Sequence, residues 1–204
     1  TSIAIDQERT AACAFDTFVF SNLTQDHLDY HGSMQAYTLS KERLFTEYVR
    51  KYAKPHCAAA INLDDSVGEH FAAVCKESGG RPMTYGIQRQ DADIVAKIGR
   101  VAPTSTAVSV TDKSRPATTL DFELNVGGLF NVSNALAAIA VARIHGVDDK
   151  HIIDGLSQMR PVPGRFESVP TNGRGFDVIV DYADTPDGLE NVLSSAKWLN
   201  PARL

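Results

Sequence analysis

Apolar and polar positions divide the chain into a succession of short elements. Residues 15–21, "FDTFVFS", form an apolar run bounded by polar residues and read as a buried strand. From Met34 to Tyr52 apolar positions recur at helical spacing, with Leu39, Leu44, Phe45 and Tyr48 on one side, which predicts one amphipathic helix. "PHCAAAINLDD" supplies a second buried strand over residues 56–62, and residues 66–75 a helix closed by "SGG". Strand, helix, strand and helix in that order predict a parallel sheet with helices on its faces.

The pattern changes at residue 83. "MTYGI", "DIVAKIG", "STAVSVT" and "ATTLDFELNV" are short β-rich runs, with "TDKSRP" as the turn between the last two, and together they predict a small antiparallel β subdomain. "NVSNALAAIAVARIHG" predicts a strong helix, with Asn131 as its N-cap and Gly146 where a C-terminal cap belongs. A shorter helix follows over residues 150–159. "RPVPGR" then breaks the helical pattern with two prolines and a glycine, which places a domain boundary there: residues 1–163 on one side, 164–204 on the other. Beyond it lie two strands, "RFESV" and "FDVIVDYA", and a helix over residues 186–199. The expected class is α/β, with a mostly parallel sheet flanked by helices.

Composition narrows the partners. The 204 residues suit one domain or one and a half, and 43% hydrophobic content suffices for a packed core. A net charge of -5 argues against general nucleic-acid binding. No stretch approaches the roughly 18 apolar residues of a membrane span, and no signal-peptide pattern opens the chain, so a soluble protein with no membrane partner is expected. Cys13, Cys57 and Cys75 form no CxxC pair and read as reduced core thiols of a cytoplasmic protein. The chain opens without an initiator Met and stops straight after a helical pattern, so a piece of a longer protein is expected.

The richest chemistry lies in "FSNLTQDHLDYHGSMQAYTLSKERLF", residues 20–45. Side chains at the end of a parallel strand point into the crevice where α/β proteins bind ligands. Asn22, Gln25, Asp26, His27, Asp29 and His31 could supply oxygen and imidazole ligands to a divalent ion. They could equally form a hydrogen-bonded loop, because "DHLDYH" matches no zinc spacing. By pattern alone Lys41 is a solvated helix lysine.

The same stretch resembles the central-domain signature of the Mur ligases, in the branch that adds the third amino acid to UDP-N-acetylmuramoyl-dipeptide. "GLFNVSNALAAIAVA" is similar to that family's adenine-side helix, and "PVPGRFESV" with "VIVDYADTPDGLENVL" to its entry into a Rossmann-like C-terminal domain. The resemblance implies a cytoplasmic, ATP-dependent amide ligase of peptidoglycan precursor synthesis that uses Mg²⁺. Its substrates would be UDP-N-acetylmuramoyl-L-Ala-D-Glu and lysine or meso-diaminopimelate, joined through an acyl phosphate. It further implies that His27 is a Mg²⁺ ligand and that Lys41 carries a carbamate beside the metal. Thr1, Gln7 and Arg9 match residues that contact the UDP-muramoyl substrate. Asn131 and Asn134 match asparagines near the adenine, Arg165 an arginine that reaches phosphate, and Asp181 an acid at the ribose. Asp26, Asp29 and His31 are left as loop scaffolding.

Two departures stand out. The phosphate loop GxxxxGK(S/T) is absent from these residues, and the family's "DYAHTP" reads "DYADTP", with Asp184 in place of histidine. Competing readings are another amide ligase of the superfamily, of the cyanophycin or folylpolyglutamate type, or a Mur-like module that binds without catalysis.

Overall fold

The computed structural model describes residues 1–116 and 118–204. After a short helix α1 (Ser2–Asp6), six strands form one sheet in chain order: β1 (Phe15–Phe20), β2 (Ala53–Asn62), β3 (Arg81–Gly86), β4 (Ile94–Ala102), β5 (Ser105–Asp112) and β6 (Thr119–Leu124). The first four strands run parallel; β5 pairs antiparallel with both β4 and β6. The antiparallel strands expected after residue 83 therefore extend the parallel sheet, and "MTYGI" belongs to the parallel part.

Each side of the sheet has its own apolar core. Phe20, Phe45, Tyr48, Phe71 and Cys75 pack with β1 and β2. Tyr85, Ile94, Val110, Leu120, Leu136 and Ile139 pack with β3 to β6. Ala58, Ala59, Ala60 and Ile61 are almost fully buried, as expected of a central parallel strand covered on both faces. Parallel neighbours normally need a long crossover, yet β3 reaches β4 through residues 87–93 alone. Asp64 makes this tight return possible: its carboxylate accepts the amides of Ile87, Gln88 and Arg89 at 2.6–2.9 Å.

The segment expected as one helix over residues 34–52 divides into α3 (Met34–Glu42) and α4 (Glu47–Lys51), preceded by a short α2 (Leu28–His31). The break rotates the apolar face. Leu39 on α3 is exposed, whereas Phe45 and Tyr48 enter the core, so one continuous stripe could not have served both. Thr46 marks the break, its hydroxyl donating back to the Glu42 carbonyl. Helix α5 (Gly68–Glu77) follows β2 so closely that a Cβ on Gly68 would come within 1.9 Å of the Asn62 carbonyl oxygen.

The alanine-rich helix is α6 (Leu129–Ile144), followed by α7 (Asp149–Ser157). Its N-cap is Gly128, with φ of 86°, rather than Asn131; the Asn131 side chain donates 2.7 Å to the Gly127 carbonyl inside the first turn. Helix α6 begins beside the carboxyl end of β4, where a Cβ on Gly127 would strike the Pro103 and Ala102 carbonyls. It ends where His145 meets Thr17 at 2.9 Å, so its amino terminus lies at the carboxyl edge of the parallel strands. The chain closes with an antiparallel pair, β7 (Glu167–Val169) and β8 (Val178–Val180), and α8 (Pro186–Lys197), capped by the Thr185 hydroxyl. Of the three cysteines, Cys57 and Cys75 are core thiols, and burial pushes Cys75 up to about 11. Cys13 is exposed, contrary to expectation, because it lies in the turn after α1.

Candidate functional site

The loop after β1 is held from the next strand. Asn62 donates 2.7 Å to the Ser21 carbonyl, and the Asp65 carboxylate accepts the amides of Leu23 (2.6 Å) and Val67 (3.0 Å). This brings the Asn22 carbonyl to the Lys41 Nζ, which donates to it at 2.8 Å. Lys41 also lies 4.8 Å over the Tyr37 ring, one helical turn earlier on α3. Burial lowers the Lys41 pKa from its ordinary value, while the nearby charges of Asp65 and Asp26 act in the opposite sense.

His27 caps α2 in a left-handed conformation, φ 54° and ψ 26°, a strained state for a residue other than glycine. Its amide donates to the Asp26 carboxylate at 2.7 Å, and its Nε2 lies 3.4 Å from the other Asp26 oxygen. The Tyr37 ring meets His27 edge-on at 6.2 Å. His27 and Lys41 thus both adjoin Tyr37. Asp26 lies beside His27, and Asp65 with Asp26 supplies negative charge near Lys41. His31 is drawn instead to Ser2, its Nε2 2.8 Å from the hydroxyl, and Tyr30 donates to Asp6 at 3.0 Å, so α2 pins α1 in place.

Thr1 caps α1, its hydroxyl accepting from Ala4 at 3.3 Å, and lines a cavity of about 180 Å³ together with Asn22 and Lys41. Gln7 and Arg9 sit just after α1, exposed, with no side-chain hydrogen bond among the described residues. They do not line that cavity.

A second group converges at the amino end of α6. Asn131, Asn134 and Arg165 line one cavity of about 230 Å³, floored by Val126, Ala135 and Leu156. Asp181 is not in that lining. Its carboxylate accepts the Phe166 amide at 2.7 Å and so holds the backbone next to Arg165, whose guanidinium lies 5.7 Å from the Tyr182 ring. Asp184 is exposed, before the N-cap of α8. A larger concavity, about 530 Å³, lies near Lys97, Lys113 and Trp198. It is an open trough that gathers none of these groups.

Among the described residues no three His, Cys, Asp or Glu side chains cluster as a metal site. No described helix is long and apolar enough to cross a membrane. Sequence reasoning missed Tyr37, Asn62 and Asp65. The doublet "DD" directly after a buried strand was the available signal for Asp65, since acids there can cap the neighbouring loops.

A parallel sheet with polar groups gathered at its carboxyl edge, one set on the loop after β1 and another at a helix amino terminus, defines the class: an α/β protein with a candidate ligand site at the strand ends. Residues 1–142 match the Mur ligase middle domain, and the chain belongs to the Mur ligase family. It is 39% identical, over 97% of its length, to the UDP-N-acetylmuramoyl-L-alanyl-D-glutamate--2,6-diaminopimelate ligase of Geobacillus thermodenitrificans, and 40% identical over its whole length to the Geobacter sulfurreducens ligase of the same name. The chain spans 39% of the length of each. A solved structure of a ligase of that name superposes with a TM-score of 0.76 at 28% identity, over 97% of this chain and 38% of that one. The fold also matches a Thermotoga maritima MurF ligase solved in complex with ADP, with a TM-score of 0.66 at 20% identity over 88% of this chain and 38% of that one.

Proposed function

We propose that this chain is part of an ATP-dependent ligase that adds diaminopimelate to UDP-N-acetylmuramoyl-L-Ala-D-Glu through an acyl phosphate. Residues 1–163 would belong to its central ATPase domain and 164–204 to the start of the next. The observation that carries the reading is the convergence of Asn131, Asn134 and Arg165 on one cavity at the carboxyl edge of the sheet. Amide groups over an apolar floor suit a purine, and an arginine at the rim suits phosphate. The relatives' names favour diaminopimelate over lysine as the third residue. A cytoplasmic location follows from the need for ATP.

His27 and Lys41 are the proposed metal-side groups. Mg²⁺ keeps much of its shell as water and phosphate oxygen and needs only one or two protein ligands, so a sparse donor set fits it. Lys41 fits only after its cation becomes a carbamate, because an ammonium beside the metal would repel it. Its lowered pKa favours the neutral amine that carbamylation requires. When bound, Mg²⁺ would neutralise charge on the transferred phosphoryl group. Thr1, Gln7 and Arg9 are proposed to meet the UDP-muramoyl substrate. Asp181 is proposed to serve the ribose with the oxygen that the Phe166 amide leaves free.

The test is phosphate release by the full-length protein with UDP-N-acetylmuramoyl-L-Ala-D-Glu, ATP and either amino acid. Turnover with diaminopimelate and far less with lysine is expected. Turnover only with a glutamyl-folate substrate would move the protein to another branch, and none with any acceptor would leave a binding module. The 204-residue chain, which contains no GxxxxGK(S/T), should hydrolyse no ATP.

A further inference from the structure

Tyr37 is 4% exposed, yet its ring belongs to neither apolar core. Its neighbours are polar instead. The Lys41 Nζ lies 4.8 Å from the ring centre, the His31 ring stacks on it at 5.2 Å with planes 26° apart, and His27 meets it edge-on at 6.2 Å. The hydroxyl makes no hydrogen bond among the described residues, so the ring face is the part of this residue that is engaged.

Its place in the fold matters as much. Lys41 stands on α3 and His27 at the cap of α2, and the backbone joins these helices only through Gly32, at φ 73°, and Ser33. Glycine takes this φ without strain, and it offers no side chain of its own to hold the two helices at a set angle. The ring touches groups on both. His31, stacked on the ring, is itself tied to Ser2 at 2.8 Å, which extends the connection to α1.

We propose that Tyr37 is a positioning residue: its ring holds the Lys41 side chain and the His27 imidazole in register across the α2–α3 joint. Packing of the lysine chain on the ring face, with Nζ 4.8 Å from its centre, keeps it extended toward the Asn22 carbonyl whether or not the amine is carbamylated, and the edge contact sets the orientation of the imidazole. This rests on the reading of Lys41 and His27 as metal-side groups.

The test uses the full-length protein, with Mn²⁺ binding in the presence of ATP followed by EPR beside steady-state kinetics. Tyr37→Leu should weaken Mn²⁺ binding and lower kcat, each by about tenfold or more, with KM for the UDP-substrate unchanged, whereas Tyr37→Phe should keep both within about twofold. A Tyr37→Leu protein that binds Mn²⁺ normally and merely melts earlier would assign the ring to packing and overturn the proposal. A Tyr37→Phe protein as impaired as Tyr37→Leu would give the role to the hydroxyl and overturn it equally. If Tyr37→Leu does not fold, Tyr37→Met fills the space without a ring face; failure of both to fold also means packing. Absence of ligation by the unmodified protein would defeat the functional reading, while Mn²⁺ binding would still decide the role of Tyr37.

Discussion

Charged groups gather at both ends of the same sheet, and the two ends treat them differently. At the end where the parallel strands begin, Asp112 pairs across from Ile94 and meets Arg143 from the last turn of α6, Oδ2 to Nε at 3.1 Å. Both side chains are 3% exposed, and the contact is a charge pairing bent too far for a good hydrogen bond. Arg143 also contacts Asp149 on α7, and the other Asp112 oxygen accepts from the Ser114 amide and hydroxyl. Here charge is answered by charge within the protein. At the carboxyl edge, Lys41 is answered by a backbone carbonyl and a ring, and His27 sits in a strained conformation beside a half-exposed Asp26. A network that matches its own charges holds a fold together. One that leaves them partly matched and strained is where a ligand site is to be sought, and the proposed function places one there.

The sharpest way to break this comparison is to unpair the buried end. Arg143→Met leaves Asp112 charged and buried and should cost about 3–5 kcal/mol of stability, read as a fall in the denaturant midpoint. Replacing Asp112 and Arg143 together with apolar residues should recover most of that loss. If the single and double variants lose equally, the network is not a charge pairing.

At the other end the loss should fall on activity. In the full-length protein Lys41→Ala should reduce turnover by about a hundredfold or more, with little change in melting temperature. Lys41→Arg should not restore it, because a cation is not what the site needs, and a short carboxylic acid added to Lys41→Ala should recover part of the rate. Near-normal turnover by Lys41→Arg would remove the carbamate from the reading.

Asp65 joins the two kinds of behaviour, since it anchors the loop after β1 and also places charge near Lys41. Asp65→Ala strands two amides and should cost about 1–2 kcal/mol of stability together with a loss of activity. Loss of activity alone would make it a member of the site rather than its support.

The smallest effect belongs to the half-buried and exposed charges around α4. Glu47 accepts from Lys51 and from Arg43, both at 2.8 Å, and these contacts hold its carboxyl below the usual range. The sign follows: its contribution is complete above the unfolded-state pKa and is lost as pH falls through the lower folded-state value. Glu47→Gln should therefore cost about 0.5 kcal/mol or less at neutral pH, and the difference from the unmodified protein should shrink in acid melts.

How far the site could be read in advance follows from how local each signal is. Buried β2, the long α6 with Gly146 behind it, and α8 from Pro186 all depend on periodicity and turn signals within a few residues, and each is present; β1 is present too, but as an edge strand buried only at Phe18 and Phe20. The break between α3 and α4 was not legible, because it depends on which face of each helix meets the sheet. Lys41 was legible only through the family resemblance, since helical spacing marks it as solvated. Tyr37 reads as an ordinary helix aromatic until the neighbouring histidines surround it.

The sequence by itself determined the order of elements, the apolar runs that become the parallel strands, and the family to which the chain belongs. Tertiary structure decided which polar residues share a site. Asp65 reaches Leu23 across 42 residues, Asn62 reaches Ser21 across 41, and Asn131 and Arg165 meet in one cavity from different elements. Periodicity records which face of an element is apolar. Burial and charge pairing are sums over segments far apart in the chain, and only folding brings those segments together.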